Sequence, residues 1–118
     1  MSESNANRQL ILERIRDVPD WPKPGVVFKD ITPLLEDGEA FAAAVEELIA
    51  CAPGEIDVVV GMEARGFIFA APVALGLKAG FVPVRKPGKL PGVVIEEQFA
   101  LEYGNETLTI LHDSLWPN

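Results

Sequence analysis

The sequence predicts an α/β domain with a mainly parallel sheet, helices packed on it and a hairpin flap. Three observations lead there. A strand, turn, helix and second strand follow one another between Asp57 and Arg85. An amphipathic helix precedes them, from Asp37 to Ala50, and two alternating stretches, Val93 to Leu101 and Thr107 to Leu111, come after. The first pattern is a βαβ unit, whose strands should be parallel, and the last is a hairpin. With 118 residues, 48% of them hydrophobic, the chain fits one globular domain, 1–118.

Each element has its own signal. Met1 to Asn7 is small and polar and is expected to fray. Leu10, Ile11, Leu12 and Ile15 give Arg8 to Arg16 a short helical stripe. Pro19, Pro22 and Pro24, with Trp21 among them, make Asp17 to Gly25 a stiff extended loop, because proline fixes φ and removes a donor. Val26 to Phe28 is a brief extended run, and a helical turn is expected near Leu34 and Leu35. Asp37 can cap the next helix, whose apolar face is read as Phe41, Ala44, Val45, Leu48 and Ile49. Pro53-Gly54 ends it.

Val58, Val59 and Val60 read as a fully buried strand, broken at Gly61. Met62 to Arg65 form a turn, Gly66 allows close backbone approach, and a helix runs from about Phe67 to Leu77. Pro72 should sit in its first turns or kink it. Gly76 and Gly80 bracket the exit, and Phe81 to Arg85 is the second strand. RKPGKLPG, Arg85 to Gly92, is a basic loop in an otherwise acidic chain. Tyr103 to Glu106 reads as the hairpin connection.

Charge and composition narrow the function. The net charge of −8, from 10 Lys+Arg against 18 Asp+Glu, argues against a nucleic-acid surface. An anionic small molecule is compatible with it if cations gather locally. Neither an export signal nor an apolar run of ~20 residues is apparent, so no membrane partner is expected. Cys51 is the single cysteine, read as a small buried apolar residue in a reducing, cytoplasmic setting. His112 has no Cys or His at ligand spacing and reads as a surface residue, so no resident metal site is expected. The Asn105-Glu106-Thr107 sequon is discounted without a secretion signal.

VVVGMEARGF, Val58 to Phe67, is the chemically suggestive stretch. A helix that starts after a polar turn presents unpaired N–H groups and a favourable dipole to an anion, with Arg65 at the same point. It is not a P-loop, since Phe67 and Ile68 stand where Lys and Ser/Thr belong, and G-x-G-x-x-G is absent. Taken alone, such a turn is more often a solvated connection than a site.

PGVVFKDIT, GMEARGF, RKPGKLPG and LEYG, in that order, closely resemble motifs of the adenine phosphoribosyltransferases of purine salvage. The resemblance runs from about Asp17 to the end of the chain. It implies the type I phosphoribosyltransferase fold, with 1–36 as N-terminal helix and hood over the base and 37–118 as partial core. It also implies transfer of a phosphoribosyl group from phosphoribosyl pyrophosphate to adenine, giving AMP and pyrophosphate, with Mg²⁺ on the cosubstrate. By similarity, Phe28 stacks on the purine while main-chain groups of Val27 and Lys29 read its edge. Lys29 stands where many relatives have Arg.

Arg65 and the N–H groups around Ala64 and Gly66 would hold the pyrophosphate, at a turn that relatives often build with a cis peptide, here near Glu63-Ala64. Lys86 and Lys89 would neutralise further phosphate charge. Arg85 matches a position that reaches the neighbouring subunit's site, which implies a homodimer. Glu102 would handle the purine proton, and Tyr103 lies beside it on a closing loop.

One departure matters. Relatives continue into a buried strand ending in two adjacent acidic residues and a Thr/Gly-rich loop, which bind the ribose hydroxyls and 5′-phosphate. No Asp-Asp pair with a small-residue loop occurs in this chain, so the fold is expected to be C-terminally incomplete, with Val58–Val60 and Phe81–Val84 partly exposed. Three readings stand: part of an adenine phosphoribosyltransferase, a non-catalytic purine- or pyrophosphate-binding short relative, or an inactive remnant.

Overall fold

The computed structural model describes residues 3–101 and 104–115. They form two compact units that divide between Ala52 and Pro53.

The first unit begins with helix α1, Glu3–Glu13. Glu3 to Asn7 are helical rather than frayed, because tertiary contacts hold the polar start; Met1 and Ser2 lie outside the described residues. Ser4 Oγ donates to Glu47 Oε1 at 2.5 Å, and Asn7 Nδ2 donates to Glu46 and Glu47 at 3.2 and 3.1 Å. The helix also stops short of Arg16. That residue opens strand β1, Arg16–Pro19, which pairs antiparallel with β2, Val27–Asp30, from Arg16↔Asp30 to Pro19↔Val27. The stiff loop expected from Asp17 to Gly25 is therefore strand over its first third, Asp17 to Pro19. Its remainder turns through a cis Trp21-Pro22 bond and is tied by Gly25 N donating to Asp20 Oδ1 at 3.0 Å.

Helix α2, Thr32–Glu36, takes Pro33 into its first turn, where the missing N–H is no loss. Helix α3, Gly38–Ala50, is capped by Asp37, which accepts from the N–H groups of Glu39 and Ala40 and from Arg14 Nε. The Arg14 hydrogen bond, then that of Ala40, hold the Asp37 carboxyl below its ordinary range. The buried residues of α3 are Ala40, Ala43 and Ala44. This shifts the expected face: Leu48 is 46% exposed, and the small side chains occupy the tightest positions. Cys51, the C-cap residue of α3, is exposed rather than buried, because the helix ends there.

The second unit is built on the βαβ element. β3, Val58–Met62, and β4, Gly80–Val84, pair in parallel from Val58↔Gly80 to Met62↔Val84, around α4, Arg65–Leu77. Gly61 does not break the strand. It is buried inside it, and a Cβ built there would lie 2.6 Å from Ala70 Cβ and 2.8 Å from Phe81 Cε1, so glycine is what lets α4 lie against β3. Strand residues alternate between faces. Gly61 faces α4, while Val58 and Val60, 36% and 44% exposed, face away, which corrects the fully buried reading. Pro72 lies well past the first turn of α4, which runs on to Leu77. Its C-cap is Lys78 at φ 55°, not a glycine, and Ala79 N–H bonds Ala74 O at 2.9 Å.

β5, Val94–Leu101, and β6, Gly104–Leu111, make an antiparallel hairpin; β5 ends where expected, while β6 starts at Gly104, so Gly104 to Glu106 are strand rather than connection. The hairpin joins the βαβ element through Arg85↔Thr109. Thr109, 2% exposed, donates from its backbone N–H at 2.7 Å and its hydroxyl at 2.9 Å to Arg85 O. His112 is exposed.

Candidate functional site

In the second unit the candidate site is the turn between β3 and α4. Parallel pairing stops at Met62↔Val84, and Glu63 N–H still bonds Val84 O at 2.9 Å. The chain then crosses a cis Glu63-Ala64 peptide bond, at the place the sequence resemblance implies, and enters α4 at Arg65. Arg65 and Gly66 thus occupy the first turn of a 13-residue helix, with Ala64 as its N-cap and no side chain capping it. The N–H groups of such a start suit an anion, and the exposed Arg65 adds full charge.

The basic loop comes to the same turn. Arg85 leaves the end of β4, and its Nε donates to Glu63 Oε1 at 2.8 Å. The Lys86 N–H donates to the same oxygen at 3.4 Å, and Arg85 Nη1 reaches Lys89 O at 3.4 Å. Burial alone would push the Glu63 carboxyl up. The Arg85 hydrogen bond, the Lys86 N–H and both positive charges outweigh it and hold the pKa below the ordinary value. The structure therefore brings Ala64, Arg65, Gly66, Arg85 and Lys86 to one locale, with Lys89 bonded to it through its carbonyl. Glu63 joins them although sequence reasoning gave it no role. The available signal was a lone carboxylate inside a stretch otherwise read as cationic.

In the first unit, Val27, Phe28 and Lys29 lie in sequence on β2. Alternation places Val27 and Lys29, both exposed, on one face and the half-buried Phe28 on the other. Lys29 Nζ is held by Asp17 Oδ1 at 2.6 Å across the ribbon. The Trp21 ring meets Phe28 edge-on, centroids 4.5 Å apart at 68°. Trp21 is a further aromatic at this place, legible only as an aromatic among prolines. Among the described residues β2 pairs with no strand but β1, so its other edge makes no ladder. Glu102 and Tyr103 lie outside the described residues.

A hollow of about 230 Å³ lies in the second unit among Met62, Val84, Ile95, Phe99, Leu108 and Ile110. Its lining is almost wholly apolar and includes no cation, so it does not serve an anion. Among the described residues no three His, Cys, Asp or Glu side chains gather as a metal site, and no helix is long and apolar enough to cross a membrane.

No family model matches the chain. It is 62% identical to the adenine phosphoribosyltransferase of Cutibacterium acnes over 110 residues, 93% of this chain and 62% of that protein. Among crystal structures, it resembles the adenine phosphoribosyltransferase of Thermoanaerobacter pseudethanolicus with a TM-score of 0.83 and 48% identity, over 90% of this chain and 62% of that one. The Saccharomyces cerevisiae adenine phosphoribosyltransferase, solved with adenine and an imino-altritol bisphosphate, matches with a TM-score of 0.81 and 32% identity, over 94% of this chain and 66% of that one. The chain spans a little under two thirds of the length of each of these relatives.

Proposed function

The chain is a homologue of the adenine phosphoribosyltransferases with their type I fold, and on that premise we propose that it serves their reaction in purine salvage. Adenine N9 attacks the anomeric carbon of phosphoribosyl pyrophosphate, the bond to pyrophosphate breaks with its electron pair, and AMP results. The observation that carries this reading is the β3–α4 turn, where a helix start, Arg65 and a basic loop converge on one point.

Roles follow from chemistry. The Phe28 ring stacks on the purine, and backbone groups of Val27 and Lys29 on the strand edge orient it without adding charge. The Trp21 edge contact supports that ring. N–H groups around Ala64 and Gly66, with Arg65, take the pyrophosphate, whose developing charge they stabilise. Lys86, Lys89 and Arg85 add positive charge around it. The turn offers N–H and guanidinium donors to the pyrophosphate, and Mg²⁺ would arrive bound to the phosphoribosyl pyrophosphate as part of the cosubstrate. Glu102 takes the proton released at the purine, and Tyr103 helps cover the site. A cytoplasmic homodimer, in which Arg85 also serves the second copy, completes the proposal.

The test is to mix this chain with adenine, phosphoribosyl pyrophosphate and Mg²⁺ and follow AMP by chromatography, with adenine and pyrophosphate binding measured separately. AMP formation supports the full reading. Saturable adenine binding with no AMP leaves the non-catalytic binding reading, and no binding of either ligand refutes both.

A further inference from the structure

Glu63 places a carboxylate inside a cationic cluster assigned to an anion. Simple Coulomb interaction makes that unfavourable for anion binding, so the placement requires a reason. Its contacts supply one. The side chain, 13% exposed, accepts from Arg85 Nε at 2.8 Å and from the Lys86 N–H at 3.4 Å. Arg85 Nη1 in turn meets Lys89 O at 3.4 Å. The guanidinium is therefore fixed at two points, one at the end of β3 and one in the basic loop. An arginine fork held this way presents a set direction, whereas an untethered one must be ordered when the ligand arrives.

We propose that Glu63 is a positioning residue for pyrophosphate: it orients Arg85 and ties the Arg85–Lys89 loop to the turn carrying Arg65. This rests on reading the turn as the pyrophosphate site. In a homodimer the same tether sets the direction in which Arg85 is offered to the second copy.

The two roles open to Glu63 predict effects of opposite sign. A carboxylate that is only a neighbour repels the anion, so its removal tightens binding. A carboxylate that positions cations weakens binding when removed, despite the gain in net positive charge. The experiment is calorimetric titration of the full chain with magnesium pyrophosphate, comparing wild type with Glu63→Ala, Glu63→Gln, Arg65→Ala, Arg85→Ala and the double variant Glu63→Ala/Arg85→Ala.

Glu63→Ala should bind at least fivefold more weakly with adenine affinity unchanged. Glu63→Gln, which keeps a carbonyl acceptor for Arg85 and Lys86, should recover most of the loss. The double variant should bind about as weakly as Arg85→Ala alone, since Glu63 acts through Arg85 and the two losses do not add. Equal or tighter binding by Glu63→Ala overturns the positioning role while leaving the site intact. Should Glu63→Ala not fold, Glu63→Met, which keeps the side-chain volume and removes the acceptor, decides by the same sign. Pyrophosphate binding that is absent in wild type, or unchanged in Arg65→Ala, overturns the site assignment and this inference with it.

Discussion

Replacing Gly61 by alanine should destabilise the second unit, and Gly66→Ala should not, although both glycines flank the same turn. At Gly61 the added Cβ meets Ala70 Cβ at 2.6 Å, Phe81 Cε1 at 2.8 Å and the Gly66 carbonyl at 3.1 Å. Carbon atoms pack at about 3.5–4.0 Å, so α4 or the Phe81 ring must retreat by about 1 Å. Overpacking of this kind costs about 1–3 kcal/mol. An unfolding entropy of about 2 cal/mol/K per residue, over the whole chain, makes that a fall in Tm of roughly 4–12 °C.

At Gly66 the nearest atom to the added Cβ is Gly61 C at 3.6 Å, an ordinary contact. Alanine there also limits the unfolded chain and favours helix, so Tm should stay level or rise by a few degrees. The packing therefore gives no reason for glycine at 66, and approach of a ligand does. Gly66→Ala should fold like wild type yet bind magnesium pyrophosphate about tenfold more weakly. Differential scanning calorimetry and titration of both variants check this. A Gly61→Ala Tm within 1 °C of wild type would refute the packing argument, and unweakened binding by Gly66→Ala would refute the ligand argument.

Other expectations are narrower. Phe28→Ala should abolish measurable adenine binding and leave pyrophosphate binding intact, read by titration with each ligand; parallel loss of both would point to unfolding instead. Asp30 is pushed down to about 2 by its hydrogen bonds with the Thr32 side chain and Arg16. Its folded pKa lies below the unfolded value, so its contribution is present above about pH 4 and lost as pH falls toward 2. Asp30→Asn should flatten the urea midpoint against pH in that window, and an unaltered slope would remove Asp30 as a cause. Thr109→Val removes the hydroxyl bond to Arg85 O but keeps the backbone pair, and should cost about 0.5–1.5 kcal/mol in chemical denaturation. Glu102→Gln should lower turnover before it weakens adenine binding, and unchanged turnover would take Glu102 out of the mechanism.

Much was legible in the chain itself. The βαβ order, the parallel pairing of Val58–Met62 with Gly80–Val84 and the Asp37 cap follow from patterns set by neighbours in sequence. The motifs around Phe28, Arg65 and Lys86 sufficed for the family, because each is contiguous. Such features depend on the period of strand and helix and on local turn chemistry, which a linear string records directly.

Contacts between distant residues were not legible. The start of α1 looked frayed because Ser4 and Asn7 find their partners at Glu46 and Glu47, on another helix. The ribbon of β1 and β2 was missed because the prolines spoke for a loop, while pairing across the Trp21-Pro22 turn decided otherwise. Gly61 looked like a strand breaker, yet its meaning is the approach of Ala70 and Phe81. Glu63 and Arg85 are 22 positions apart, and only folding sets one carboxylate against that guanidinium. The sequence by itself determined the βαβ core, the capped helix before it, the hairpin after it and the family they compose. Tertiary structure decided which faces are buried and which charges meet, since burial and ion pairing depend on distances through space that no local pattern encodes.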